Sequence, residues 1–207
     1  MLDRLRRSGV TDFAGKATVV VLFALLSINL LREFLRTGHM TGMLLLASES
    51  LIVILTIVRR RAMFIDTSPK AAMVTVVSLV GPWALRVAED SALAPDIITS
   101  VITASGLLIV VISKVTLGRS FGLVPANRGV VIRGPYGFVR HPMYMGYVLS
   151  HIGFFLAQAT VWNAAAIIVG DGTLIIRALM EERLLHRDAT YASYCQRVSW
   201  HLVPGVF

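Results

Sequence analysis

Long apolar stretches alternate along the chain with short polar segments. A helix that spans a membrane needs about 20 predominantly apolar residues, with a range of about 17–25. In the first half of the chain, four stretches of this kind fit, and we expect the third helix to kink at Pro82. The predicted helices are Ala17–Arg36, Met40–Val58, Ala71–Ala88 and Asp96–Ser113.

The last apolar stretch, 143–170, contains 28 uncharged residues. It is too long for one spanning helix and too short for two complete ones. Asn163 lies in its middle, and asparagine is a good helix N-cap. The pattern therefore predicts a helical hairpin, with one helix over about 142–160, a turn near 161–162 and a second helix over about 163–187.

The composition extends this picture to the whole chain. Of the 207 residues, 56% are hydrophobic and 15% are charged, and the mean hydropathy is +0.72. Soluble domains have about 45–50% apolar and about 25% charged residues, so this excess exceeds what one soluble core can bury. We therefore expect an all-α, polytopic integral membrane bundle of about five to six transmembrane helices that ends in the hairpin. Residues 1–207 would form one membrane domain, with four helices in 1–113 and a cofactor-binding loop, the hairpin and a tail in 114–207.

The positive charges lie in four segments. The formal net charge is +8, and 17 of the 20 Lys and Arg residues fall in 1–16, 59–70, 114–140 and 177–207. These segments share one side of the membrane if the helices alternate, and basic loops are typical of the cytoplasmic side. We therefore expect both termini and the 114–142 loop to be cytoplasmic. This distribution argues against a nucleic-acid partner.

A few polar residues interrupt the predicted spans. Glu49 lies within the second helix, and an intramembrane carboxylate is a functional hypothesis by default. We favour a structural role for it, either as a pair with Arg86 or as a protonated, hydrogen-bonded acid. Asp171 is expected to meet Glu49 or a polar lining, and His151 to be a packing residue. The chain has one cysteine and no group of side chains with metal-ligand spacing, so no metal site is predicted.

The hairpin register brings polar residues of two segments to one depth. Antiparallel partners should have numbers that sum to about 323, which puts His141 opposite Glu182 and Tyr144 opposite Leu179. Arg140 would then lie level with Arg177 and Glu181. Such a cluster suits a zwitterionic cofactor such as S-adenosylmethionine, whose carboxylate needs Arg or His donors and whose sulfonium favours an aromatic face or a carboxylate. The alternative is a salt-bridge cluster that ties two helices together.

One motif within this cluster has a family resemblance. RHPMYMGY, at 140–147, resembles the RHPxYxG motif of the isoprenylcysteine carboxyl methyltransferase and phospholipid methyltransferase superfamily. GPYGFV and LGRSF precede it as they do in that family. Arg177, the Glu181-Glu182 pair, the Tyr191/Tyr194 element and Pro204 follow in the family's order. The likeness covers about residues 104–207; the chain departs at 188–190, where the family often has a glycine.

The resemblance implies an integral membrane methyltransferase that uses S-adenosylmethionine. The acceptor would be lipophilic or small: an isoprenylcysteine-like carboxylate, a lipid amine or a thiol. It implies catalytic roles for Arg177 and Glu182 as the pair at the reacting end, where Arg177 would orient a carboxylate and Glu182 or His141 would deprotonate an amine or a thiol. Arg140 contacts the cofactor or instead positions the loop. The implied cofactor-binding residues are Arg140, His141, Tyr144, Gly146, Glu181 and Glu182.

Two other functions fit part of the sequence. The tail YCQRVSWHLVPGVF resembles the end of membrane sterol reductases that use NADPH, and these share an RHPxYxG-like motif. The adjacent Glu181 and Glu182 favour the methyltransferase, because the phosphates of a dinucleotide require Arg or Lys there. A membrane scaffold without enzymatic activity is the third possibility. Residues 1–100 identify neither the acceptor nor an oligomeric state.

Overall fold

The computed structural model describes residues 2–37, 40–88 and 91–206, and the regular secondary structure of this part of the chain is almost entirely helical. It contains two short strands, β1 (Phe64–Ile65) and β2 (Ala126–Asn127), which pair in antiparallel register. The all-α prediction is confirmed. The helices are α1 (Leu2–Thr37), α2 (Met40–Val58), α3 (Pro69–Val80), α4 (Asp96–Leu117), α5 (Pro142–Ala157), α6 (Val161–Leu185) and α7 (Ala189–Arg197).

Glycines allow α4 and α5 to pack backbone against backbone. A Cβ at Gly106 would lie 2.5 Å from the Ser150 nitrogen, and one at Gly146 would lie 2.7 Å from the Gly106 carbonyl oxygen. Small residues at membrane helix interfaces permit this close approach. The contact fixes the start of α5, which carries the RHPMYMGY motif, against the body of the bundle.

The predicted hairpin is present, but its turn lies earlier than expected. Residues 158–160 connect α5 to α6, and Thr160 rather than Asn163 is the N-cap, because its hydroxyl accepts a hydrogen bond from the Asn163 amide at 3.1 Å. Asn163 is fully buried, and its side chain forms hydrogen bonds to other segments. Its side chain donates to the carbonyls of Arg86 (2.9 Å) and Gln158 (2.8 Å), which ties the hairpin turn to the segment after α3.

Three predicted helix boundaries were wrong, and the first helix begins at Leu2 rather than at Ala17. The third helix stops at Val80 and continues only as a short 3-10 turn, Gly81–Ala84, rather than reaching Ala88. Proline lacks the N–H that an α-helix requires, so Pro82 ends the helix instead of kinking it. The fourth helix extends past Ser113 to Leu117. Lys114, expected in the cytoplasmic loop, is therefore helical, and its side chain is completely buried.

The buried Lys114 corrects the expected partner of Glu49. Its ammonium donates to the carbonyl (2.9 Å) and hydroxyl (2.8 Å) of Ser48 and lies 3.9 Å from the Glu49 carboxylate. Glu49 thus has a structural partner, as expected, but the partner is Lys114 and not Arg86. The Arg86 guanidinium lies over the Trp162 ring, 4.3 Å from its centroid.

Two helical segments of the described chain, Asp96–Ser120 and Val161–Leu185, are long and apolar enough to cross a membrane. Their outer faces expose large apolar side chains: Ile97 and Ile168 are each 72% exposed. Helices α3 and α5 are about 18 Å and about 24 Å long by their rise, shorter than the about 30 Å hydrocarbon core of a bilayer. The total of five to six spans therefore stays a prediction.

Candidate functional site

The site lies where the start of α5 meets the end of α6. The His141 Nε2 is 2.9 Å from Glu182 Oε1, so the predicted register of the hairpin is confirmed at this pair. His141 immediately precedes α5, and Pro142 occupies the first turn, where a missing N–H costs little. The imidazole also stacks on the Tyr144 ring, with 5.5 Å between the centroids and 9° between the planes.

Glu182 joins three segments of the chain. Its Oε1 also accepts from the His201 Nδ1 at 2.6 Å, and its Oε2 accepts from an Arg140 Nη1 at 3.2 Å. The Glu182 side chain is only 7% exposed, so these charge-assisted contacts are shielded from water. The backbone supports them, because the amides of Arg140 and His141 donate to the carbonyls of Trp200 and His201. The C-terminal tail is thereby fastened to the RHPMYMGY segment.

Arg140 holds the C-terminal tail and also lines the cleft described below. Its Nε donates to the Val198 carbonyl at 2.8 Å and its Nη2 to the Cys195 carbonyl at 3.3 Å, which are acceptors at the C-terminal end of α7. A guanidinium at a helix C-terminus also complements the helix dipole. Arg140 therefore positions the tail, while part of its side chain lines the cleft described below.

A second network surrounds Glu181. Its Oε1 accepts from the Tyr144 hydroxyl at 2.7 Å and from the Arg177 Nε at 3.3 Å. Arg177 also donates to the Ser78 hydroxyl and to the Gly122 carbonyl, and its guanidinium carbon lies 5.7 Å from the Tyr144 ring centroid.

Arg177 forms its ion pair with Glu181 and not with Glu182, while the implied role of Arg177 and Glu182 as the pair at the reacting end stays a prediction. Residues four apart on a helix share a face, whereas residues five apart diverge by about 140°. Glu181 and Glu182 therefore belong to different networks, one around Arg177 and one around His141.

A cleft of about 700 Å³, part of it open to solvent, lies beside these networks. Its opening to solvent gives a small polar ligand access to the side chains of the lining. Of the predicted cofactor residues, Arg140, His141, Tyr144 and Glu181 line the cleft. The remaining two do not line it. Gly146 packs against α4, and Glu182 contacts His141 without itself lining the cleft.

Arg128, which the sequence did not single out, lies in the wall of this cleft. Arg128 is 7% exposed, and its guanidinium lies over Gly122, where a Cβ would collide with it. The loop that carries it is held by the β1–β2 pairing and by the bond from the Arg60 amide to the Arg119 carbonyl at 2.7 Å. A loop has no periodicity to predict burial. The glycines at 122 and 129 are the sequence signals for a constrained turn, and Gly129 has a positive φ in the structure.

Three tyrosines form part of the cleft wall. Tyr136, Tyr191 and Tyr194 are buried, and the Tyr194 hydroxyl donates to the Tyr136 carbonyl at 2.7 Å. Burial raises the pKa of all three phenols, so they are neutral at physiological pH. The Tyr191 hydroxyl has no oxygen or nitrogen partner in the described part of the chain, and the nearby Cys195 thiol is a weak one. It is thus a buried polar atom that a bound ligand can satisfy.

Comparison with known proteins agrees with the sequence motif. A family model described as phospholipid methyltransferase matches residues 92–191, just under half of the chain. The match includes α4, the cleft loop and the α5–α6 hairpin, and it confirms the resemblance drawn from the motif at 140–147. No curated protein sequence matches the chain.

Proposed function

The family match over residues 92–191 supports a membrane methyltransferase, and from that premise we propose a donor and an acceptor. The donor is S-adenosylmethionine, bound in the cleft at the end of the hairpin where α5 begins and α6 ends. The acceptor is a lipophilic, membrane-borne molecule that approaches from the bilayer. Both termini and the cleft face the cytoplasm in this proposal, because the basic loops lie on that side.

The composition of the cleft is the observation that carries the proposal. Glu181 and the Tyr144 ring offer a carboxylate and an aromatic face, which suit a sulfonium or a ribose diol. Arg128 offers a buried guanidinium for a carboxylate, and the Tyr191 hydroxyl offers an unsatisfied polar atom. The residues present therefore fit the cofactor, and the apolar walls fit its less polar parts.

The chain contributes chiefly by positioning. Bound S-adenosylmethionine supplies an activated methyl group on a sulfonium, and displacement at carbon requires no covalent enzyme intermediate. We propose that Arg177, which is buried behind the cleft lining and bonds to Gly122 and Glu181 in its wall, orients the acceptor. We propose that Glu182 acts on the reaction through His141 and Arg140, which it holds against the cleft, rather than by touching the reacting atoms.

A proton must leave if the acceptor is an amine or a thiol. His141 lines the cleft, and its Nε2 contacts Glu182, so the pair is the proposed base: the imidazole faces the acceptor and the carboxylate stabilises its charged form. A carboxylate acceptor arrives ionised and needs only Arg177. A variant that loses His141 thus discriminates between acceptors that need a base and those that do not.

Cofactor titration of the purified protein in detergent tests this proposal. We expect saturable binding of S-adenosylmethionine and none of NADPH. Replacing Glu181 with Gln should weaken binding by about 10- to 150-fold, the factor for losing a charged hydrogen bond of about 1.5–3 kcal/mol. Arg183→Gln, an exposed charge on the same helix, is the matched control. Binding of NADPH alone would favour the reductase, and binding of neither would favour the scaffold.

A further inference from the structure

The connection between α2 and α3 carries a surface patch that combines positive charge with apolar side chains. Arg60 and Arg61 follow shortly after the end of α2, and both are exposed. The next large side chains are apolar and between 43% and 59% exposed: Met63, Phe64 and Ile65. We call residues 60–66 the basic-apolar segment. None of them lines the cofactor cleft.

Two more arginines border this segment. Arg119, just after α4, is exposed, and its Nε donates to the Val58 carbonyl at 3.1 Å. Arg187 is exposed as well, and its guanidinium carbon lies 5.5 Å from the Phe64 ring centroid. With the two arginines of the segment itself, four guanidinium groups therefore surround the exposed apolar side chains.

Two carboxylates lie on the same side of the molecule, and each accepts a hydrogen bond from a nearby backbone amide. Asp66 accepts from the Ser68 amide at 2.9 Å, and Asp188 accepts from the Thr190 amide at 2.9 Å. Four guanidinium groups against two carboxylates leave the patch positive. It is complementary to a surface that carries negative charge.

The position of the patch favours a lipid surface as the partner. Ile54 and Ile57, in the last turns of α2, are 54% and 62% exposed, so an apolar outer face leads directly to the arginines. Basic clusters that directly follow a membrane helix attract anionic headgroups, and apolar side chains beside them suit the boundary between headgroups and acyl chains. A soluble phosphate would leave the apolar side chains in water.

The basic-apolar segment is hydrogen-bonded to the loop that forms one wall of the cofactor cleft. Three of its backbone amides donate to carbonyls of that loop: Arg60 to Arg119 at 2.7 Å, Met63 to Asn127 at 2.8 Å and Asp66 to Pro125 at 3.1 Å. Ala126 and Arg128, on either side of Asn127, line the cleft. A partner that holds the segment in place therefore also holds this wall.

We propose that the basic-apolar segment is a docking site for anionic phospholipids of the bilayer, and that their binding stabilises the loop wall of the cofactor cleft. Arg60 and Arg61 bind the headgroup phosphates, while Met63 and Ile65 face the acyl chains. The anionic lipid acts as a regulator that raises cofactor affinity and is not itself the methyl acceptor. Its effect on the cofactor rests on the function proposed above, but docking can be measured without cofactor.

Hydrogen exchange of the Met63 and Asp66 amides measures the docking. Both amides donate to the cleft loop, so release of the segment exposes them. The protein is compared in nanodiscs of phosphatidylcholine alone and in nanodiscs that also contain phosphatidylglycerol. A basic side chain near an anionic surface contributes a factor of about five, so two arginines should slow exchange by about 30-fold. Equal exchange in the two lipids would overturn the proposal.

Two further conditions identify the source of the negative charge. Glycerol phosphate added to phosphatidylcholine nanodiscs should leave exchange unchanged, and slowing by this soluble anion would overturn docking to a lipid surface. Molar salt should remove the slowing caused by phosphatidylglycerol, because it screens exposed charges. Slowing that persists in molar salt would contradict the role of the arginines. Both conditions use the wild-type protein, so neither depends on the folding of a variant.

A variant with both Arg60→Gln and Arg61→Gln keeps the backbone hydrogen bonds of the segment but removes its charge. It should lose the effect of phosphatidylglycerol, whereas Arg183→Gln, an exposed arginine of α6, should retain it. Full slowing in the double variant would overturn the assignment. Wild-type exchange of the Arg140 amide in both variants serves as the control for an intact fold.

Titration with S-adenosylmethionine tests the coupling to the cleft. In the wild type, affinity should be about five-fold or more higher in nanodiscs with phosphatidylglycerol, and Arg61→Gln should reduce this gain while leaving affinity in phosphatidylcholine unchanged. Slower exchange without any gain in affinity would overturn the coupling. Absence of cofactor binding in both lipids would instead refute the proposed function, and the exchange data would still decide whether the segment docks on anionic lipid.

Discussion

Replacing Glu182 with Gln should release the C-terminal tail from the cofactor cleft. The carboxylate accepts from Arg140, His141 and His201 at distances of 3.2, 2.9 and 2.6 Å. A glutamine keeps one oxygen for the histidines but turns an amide toward the Arg140 donor. The variant therefore loses the ion pair with Arg140 while retaining the shape of the side chain.

The size of the effect follows from that one lost contact. A hydrogen bond to a charged group contributes about 1.5–3 kcal/mol, which corresponds to a change of about 10- to 150-fold in the docking equilibrium of the tail. The Glu182 side chain is only 7% exposed, so water cannot replace the lost partner. Methyl transfer should fall as well, because His141 and Arg140 lose their orientation.

Hydrogen exchange of the Arg140 and His141 amides measures the docking directly. Both amides donate to carbonyls of the tail, at Trp200 and His201, so undocking exposes them. We expect faster exchange in Glu182→Gln by the factor given above, and wild-type exchange in Glu181→Gln, which alters the other network. Unchanged exchange in Glu182→Gln, or equal acceleration in both variants, would refute the assignment of Glu181 and Glu182 to two separate hydrogen-bond networks.

Three further predictions concern stability and pH. Gly146→Ala should lower the free energy of unfolding by about 1–3 kcal/mol, because its Cβ overpacks against α4. Gly172→Ala should raise the free energy of unfolding by up to about 1 kcal/mol, because its Cβ meets no neighbour and alanine favours a helix. Thermal unfolding in detergent measures both. Lys114→Met should cost about 1.5–3 kcal/mol in the same assay, because Ser48 loses a charged donor. The hydrogen bond from the Thr190 amide lowers the pKa of Asp188, so Asp188 should cap α7 fully above about pH 4 and lose this effect as the pH falls further. Asp188→Ala should cost about 0.5–2 kcal/mol of stability. It should also abolish the pH dependence of hydrogen exchange in α7.

The hairpin could be predicted because two periodic helices and a short connection leave little freedom. Placing the turn within a few residues was enough to set His141 against Glu182. The same arithmetic relates His151 to Asp171, whose numbers sum to 322, although no contact between them was predicted. The error of about two residues in the turn arose because both Thr160 and Asn163 are good N-caps, and only burial of Asn163 decides between them.

Contacts between distant segments could not be predicted in this way. Lys114 and Glu49 lie on helices whose relative rotation no local pattern determines, and the Arg128 loop has no period at all. The family motif suggested a cofactor role for Gly146, but a glycine motif alone does not distinguish approach to a ligand from approach to a neighbouring helix. In the structure Gly146 lies against Gly106, so close packing accounts for it.

Transfer of a labelled methyl group tests the central claim most directly. The wild-type protein in nanodiscs made from a membrane lipid extract is incubated with methyl-labelled S-adenosylmethionine, and the organic phase is analysed. The proposed function predicts label on a lipid-soluble product, with little in the Glu181→Gln variant and wild-type amounts in Arg183→Gln. Cofactor binding without any labelled product, or oxidation of NADPH by the same preparation, would contradict it.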